Sequence, residues 1–103
     1  MSFESTPRKA IMDYLLHLRY CYFVTVCGNE HQSGVPDILV CYKGVFIGLE
    51  VKGPNGSLRM GQRIRLRKIQ KAKGIGEAVH GVKRVKEIIA CIDAGGTWEN
   101  RVY

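Results

Sequence analysis

The stretch Asp37-Ile38-Leu39-Val40-Cys41-Tyr42-Lys43-Gly44-Val45-Phe46-Ile47-Gly48-Leu49-Glu50-Val51-Lys52 decides the fold. It reads as two short strands, Asp37–Cys41 and Val45–Lys52, joined by a turn at Lys43-Gly44. A two-residue loop there pairs Tyr42 with Val45, Cys41 with Phe46, Val40 with Ile47 and Asp37 with Glu50. Paired residues share a face, with Cβ atoms about 5 Å apart. Lys52, two residues beyond Glu50, lies on that face too. The opposite face carries Ile38, Val40, Val45, Ile47, Leu49 and Val51, all apolar. A slip of one residue would turn that whole set to solvent, so the pattern holds the register. Lys43 is a poor residue for the positive φ of a two-residue loop, and a four-residue loop would keep the same pairing.

Upstream, Thr6-Pro7 starts a helix, a hydroxyl cap followed by proline at the first helical position. Ile11, Leu15, Leu18 and Tyr22 follow at helical spacing, and the helix is expected from about Pro7 to Arg19. Tyr22 to Cys27 is β-branched and aromatic, a strand; Gly28 to Val35 is a polar loop. Downstream, Gly53-Pro54-Asn55-Gly56 is turn chemistry, and Ser57 is positioned to cap a second helix reaching about Lys73. Gly74-Ile75-Gly76 breaks it, Glu77 to His80 is a short strand, and Val82 to about Ile92 a last helix. Gly95-Gly96 opens a frayed, irregular tail containing Trp98 and Tyr103. The order is αβββαβα: one α/β domain over residues 1–103, a mixed β-sheet flanked by helices.

Composition narrows the class. The chain has 103 residues, 46% hydrophobic and 24% charged, which suits one globular domain rather than a disordered chain. No apolar run approaches the roughly 20 residues of a membrane span, so no membrane partner is expected. Met1 to Arg8 lacks the apolar stretch of a secretory signal, and a cytoplasmic location is expected. Cys21, Cys27, Cys41 and Cys91 form no C-x-x-C pair and read as reduced, buried thiols. The net charge is +7, and Arg59 to Lys73 holds seven basic residues and no acidic one. Such a block attracts polyanions, for an intracellular domain chiefly nucleic acid. Arg59, Arg63, Arg67, Lys68 and Lys71 are the candidate DNA contacts.

Two carboxylates facing each other across a strand pair repel. A divalent cation relieves that, and Mg²⁺ (or Mn²⁺) suits one or two carboxylates completed by waters and phosphate oxygens. Lys52 beside Asp37 and Glu50 can orient an attacking water and offset charge on a phosphoryl transition state. The outline is that of a phosphodiester hydrolysis site; the plain alternative is an exposed salt-bridge cluster. The second helix supplies a further polar group. Leu58, Gln62, Leu66, Ile69 and Ala72 form one inward stripe, and Gln62 is its polar member.

Gly34-Val35-Pro36-Asp37-Ile38-Leu39-Val40, then Gly48-Leu49-Glu50-Val51-Lys52-Gly53-Pro54, then Leu58 and Gln62, resembles the VRR-Nuc branch of the PD-(D/E)XK nucleases over roughly residues 4 to 90. The resemblance implies a restriction-endonuclease-like fold and a metal-dependent DNA endonuclease. It implies Asp37, Glu50 and the Val51 carbonyl as metal ligands, Lys52 as the residue assisting the attacking water, and Gln62 close to the site. The family also has a glutamate in its first helix. Glu4 matches it, although a cap at Thr6 leaves Glu4 outside the helix. Small standalone members, typical of phages, are similar to Holliday-junction resolvases and act as homodimers on branched DNA. A phage-encoded protein of this kind would act in the host cytoplasm. Met60 and Ile64, one turn apart on the basic side of the second helix, are candidate interface residues. Rival readings are a nuclease for flaps, nicks or ordinary duplex, and a basic DNA-binding module with an inert site.

Overall fold

The computed structural model describes residues 6–26 and 35–103. Seven elements follow in the expected order: α1 (Pro7–Leu16), β1 (Cys21–Thr25), β2 (Ile38–Tyr42), β3 (Val45–Val51), α2 (Met60–Lys71), β4 (Ile75–Val79) and α3 (Val82–Asp93). The sheet runs β1-β2-β3-β4. Its first three strands are an antiparallel meander, and β4 lies parallel to β3. The sheet is therefore mixed and flanked by helices.

The hairpin has the expected register: Tyr42 pairs with Val45, Val40 with Ile47 and Ile38 with Leu49. Its loop is the two-residue form, with φ of 50° at Lys43 and 86° at Gly44. Lys43 accepts this unfavourable conformation because its ends are held. Its Nζ lies 2.8 Å from Asp93 Oδ1, and its N–H donates to the Tyr20 carbonyl at 3.0 Å. Tyr42 Oη donates to the same Asp93 oxygen, tying the hairpin to the end of α3.

The alternation then sorts the layers. Ile38, Val40, Tyr42, Ile47, Leu49, Ile75 and Val79 form the core with Ile11 and Leu15 of α1 and Val85, Ile88 and Ile89 of α3. On the other face α2 lies against β3 and β4, and two glycines permit the approach. A Cβ on Gly48 would sit 2.5 Å from Ile69 Cδ1, and one on Gly76 would sit 2.7 Å from the Leu66 carbonyl oxygen. A side chain at Gly76 would meet the α2 backbone and push the helix off the sheet, whereas one at Gly48 would first displace the end of Ile69.

Several boundaries differ from the sequence reading. Thr6 caps α1 as expected, its Oγ1 accepting from Lys9 N–H at 3.1 Å. The helix ends at Leu16 rather than Arg19. His17 takes the C-cap, its Nδ1 lies 2.7 Å from the Asp13 carbonyl oxygen, and the chain turns at Tyr20 with φ 59°. Tyr22 consequently leaves the helical stripe for β1, where it is exposed. The second helix starts later than a Ser57 cap would place it. Arg59 is the N-cap, and Gln62 Oε1 accepts its N–H at 2.8 Å, which is half of a capping box. It ends at Lys71 because the chain turns at Lys73 with φ 75°, and Ala72 is exposed rather than part of the inward stripe. Cys41 is exposed and Cys21 and Cys91 are half-buried, so these free thiols are not the buried hydrophobes expected; Cys27 lies outside the described residues.

The largest correction concerns the tail. It packs along β4 instead of fraying. Gly76 N–H donates to Asn100 Oδ1 at 3.2 Å and Ala78 N–H to Tyr103 Oη at 2.9 Å. An edge strand presents unpaired N–H groups, and polar side chains of the tail satisfy these two. Trp98 Nε1, Arg101 N–H and Arg84 Nε all donate to the fully buried Glu77 carboxylate, at 3.0, 3.2 and 3.3 Å. Arg84 also stacks on the Trp98 ring, 4.6 Å from its centroid.

Candidate active site

Asp37 stands just before β2, where its carbonyl continues the ladder by accepting Val26 N–H at 2.8 Å. Its side chain turns across to β3, and Oδ2 accepts Val51 N–H at 2.7 Å. That bond fixes the carboxylate against the strand bearing Glu50. Glu50 is buried, with 4% of its surface exposed. Gln62 Nε2 donates to Glu50 Oε2 at 2.7 Å, and Lys52 Nζ lies 3.9 Å from the same oxygen. Because Gln62 Oε1 is held by the Arg59 N–H, the amide is anchored at both ends and aimed by the helix start itself. The sequence-predicted residues Asp37, Glu50, Lys52 and Gln62 therefore converge at one end of one sheet face.

The electrostatics are uneven. The Glu50 carboxyl is pushed up to about 7, first by burial and then by the negative charge of Asp37; Lys52 and Arg8 pull the other way. Asp37 also accepts a hydrogen bond from the protonated form, which favours that form further.

This is the arrangement a divalent cation suits. Among the described residues no group of three or more His, Cys, Asp or Glu side chains gathers. Two carboxylates completed by a backbone carbonyl, waters and phosphate oxygens match the habits of Mg²⁺.

No protein-family model, curated protein or solved structure matches the chain.

Arg8 is a member of the site that sequence reasoning missed. Its Nη1 lies 3.7 Å from Asp37 Oδ1, and its Nη2 donates to the Val26 carbonyl at 3.2 Å. The start of α1 is carried to the start of β2 by packing alone, and no spacing in the sequence signals it. His80, which shows no ligand spacing in the sequence, is exposed at the end of β4. By continuation of the β3–β4 register it falls beside Lys52, and its Nδ1 lies 2.9 Å from the Gly53 carbonyl oxygen. Glu4 lies outside the described residues. Arg59, at the N-cap of α2, and Arg67, Lys68 and Lys71 along it are exposed, and Arg63 is half-buried. Met60 and Ile64 are exposed on the same helix. No helix among the described residues is long and apolar enough to cross a membrane.

Proposed function

We propose that the chain is a divalent-metal-dependent DNA endonuclease of VRR-Nuc type, with the restriction-endonuclease-like variant of the mixed α/β fold. It hydrolyses phosphodiester bonds in branched DNA, such as a four-way junction, and works as a homodimer. The observation that carries this reading is the convergence of the half-buried Asp37 and the buried Glu50, with Gln62 Nε2 and Lys52 Nζ both directed at Glu50 Oε2 and Val51 N–H holding Asp37.

In this reading Asp37, Glu50 and the Val51 carbonyl hold Mg²⁺ or Mn²⁺. When bound, the cation neutralises the carboxylates and polarises the scissile phosphate. The protein's own groups do the rest. Val51 N–H and Gln62 Nε2 each occupy one carboxylate oxygen, Oδ2 of Asp37 and Oε2 of Glu50, which fixes how both groups present themselves. Lys52 Nζ orients the attacking water and offsets the negative charge that grows on the phosphoryl oxygens. Arg8 balances Asp37 from the side of α1. The basic surface of α2 supplies non-specific affinity for the phosphate backbone.

Symmetric resolution needs two cuts in opposed strands, and a closed two-fold pair brings two sites to one substrate through a single interface. Met60 and Ile64 are the exposed apolar residues proposed for it. An inert DNA-binding module would have no use for a buried, undercompensated carboxylate, which costs stability. The decisive experiment incubates the protein with a four-way junction and a matched duplex in Mg²⁺, in Mn²⁺ and in chelator. Junction cleavage in metal alone is the expected result. Absence of cleavage of any DNA in either metal refutes the reading.

A further inference from the structure

Among the described residues, the sheet face that carries Asp37 and Glu50 is only half covered. α2 lies over β3 and β4, close enough to require a glycine at position 76. Over β1, β2 and the hairpin end of β3 no described residue of another element covers the same face. Register sets its rows. Tyr22, Cys41 and Phe46 lie side by side across three strands; Val24, Leu39 and Gly48 form the next row; Asp37 and Glu50 follow. Tyr22 is 72% exposed, Phe46 45% and Val24 41%. Between them is a shallow concavity of about 230 Å³, almost wholly apolar, with Leu39 and Cys41 in its lining. Two exposed rings thus flank a small residue, on the face that leads to the carboxylates. Phe46 is four residues from Glu50, roughly 13 Å along the strand.

The charges around the concavity decide what would fill it. Gln70 Nε2 donates to the carbonyls of Gly76 and Arg101, so that flank of α2 faces β4 and the tail. At 100° per residue, Arg65 falls on the opposite flank, bordering the open face, and Lys68 follows on the outward side of that flank; both are exposed. A single nucleic-acid strand has the complementary character: flat apolar bases on one side and phosphates on the other.

We propose that this open face binds an unpaired DNA strand, its bases stacking on Tyr22 and Phe46 and its phosphates running along Arg65 and Lys68. The strand then leads within a few nucleotides to Asp37 and Glu50. That it is the strand to be cut rests on the nuclease reading above; that it binds does not. On a branched substrate it takes a segment that is unpaired at or beside the branch, in preference to continuous duplex.

The test measures binding of a fluorescent oligothymidylate and of a matched duplex by anisotropy, in chelator, for the wild type and Tyr22→Ala/Phe46→Ala. Both residues are exposed, and Tyr22→Trp with Phe46→Tyr serves as a variant that keeps the rings. Affinity for the single strand should fall roughly tenfold or more per ring removed, with duplex affinity and the salt slope little changed. The ring-preserving variant should bind like wild type. Equal loss for single strand and duplex, or no loss, overturns the proposal. So does sedimentation showing that the double alanine variant converts a dimer to a monomer, because the face is then an interface between copies. Single-strand binding without cleavage of any DNA would sink the nuclease reading and spare this one. Cleavage of flaps unaffected by the ring substitutions would do the reverse.

Discussion

Glu50→Gln should make the metal-free protein more stable, and only above mildly acidic pH. The Glu50 carboxyl ionises near 7 in the folded chain against 4.5 for an ordinary glutamate. The folded state therefore holds that proton more tightly than the unfolded state. By linkage, stability from this group is fully present below about 4.5, declines as pH rises, and is lost above 7. At about 1.4 kcal/mol per pH unit, the folded wild type at pH 8 is destabilised by about 3 kcal/mol. Glutamine mimics the protonated acid. Its oxygen can accept from Gln62 Nε2, and its amide can donate to Asp37 as the proton does. The variant should thus match wild type near pH 4.5 and exceed it by about 3 kcal/mol at pH 8, a rise in Tm of roughly 10–20 °C for a domain of this size. Thermal unfolding by circular dichroism in chelator, from pH 4.5 to 8.5, measures it. Mg²⁺ added at pH 8 should raise the wild-type Tm and leave that of Glu50→Gln nearly unmoved. A Glu50→Gln gain of equal size at pH 4.5 and pH 8, or no gain at pH 8, would refute the electrostatic account of the site.

Asp37→Asn should abolish cleavage while DNA affinity by gel shift stays largely intact, and undiminished cutting would remove the proposed site. Lys52→Ala should slow single-turnover cleavage by about 10²- to 10³-fold, the scale of losing one preorganised transition-state contact. Replacing Arg63, Arg67 and Lys71 together with Ala should flatten the log–log salt dependence of DNA binding by about 3; an unchanged slope would put the duplex on another surface. Light scattering should give the mass of a homodimer, and Ile64→Glu should shift it toward monomer if the Met60–Ile64 patch is the interface. Glu77→Ala should cost about 3–5 kcal/mol in urea unfolding, because Arg84 and the Trp98 indole lose a buried partner; a near-neutral result would mean the tail is held by other contacts.

The part of the molecule legible in the sequence is the part built from local rules. The hairpin register is readable because alternation over Ile38–Val40 and Val45–Val51 leaves a single pairing that turns Ile38, Val40, Val45, Ile47, Leu49 and Val51 to one face. That register alone sets Asp37 opposite Glu50, with Lys52 on the same face. Gln62 was readable as the polar residue of an inward stripe. Thr6-Pro7 marked the start of α1 to the residue. Ser57 misled because hydroxyl caps are common, whereas here a glutamine three residues into the helix performs part of that work from within.

What only the tertiary structure decided depends on contacts between segments distant in the chain. The sequence determined that two carboxylates and a lysine share one face. Packing determined that Glu50 is buried, and burial together with the charge of Asp37 pushes it up to about 7. Arg8 reaches Asp37 only because α1 crosses the start of β2. The tail that seemed structureless as a string is ordered by β4, whose edge N–H groups call for acceptors that Asn100 and Tyr103 supply. Periodicity reports which way a side chain points within its own element. It carries no information on which element will stand opposite, and burial, charge balance and edge protection are all properties of that opposition.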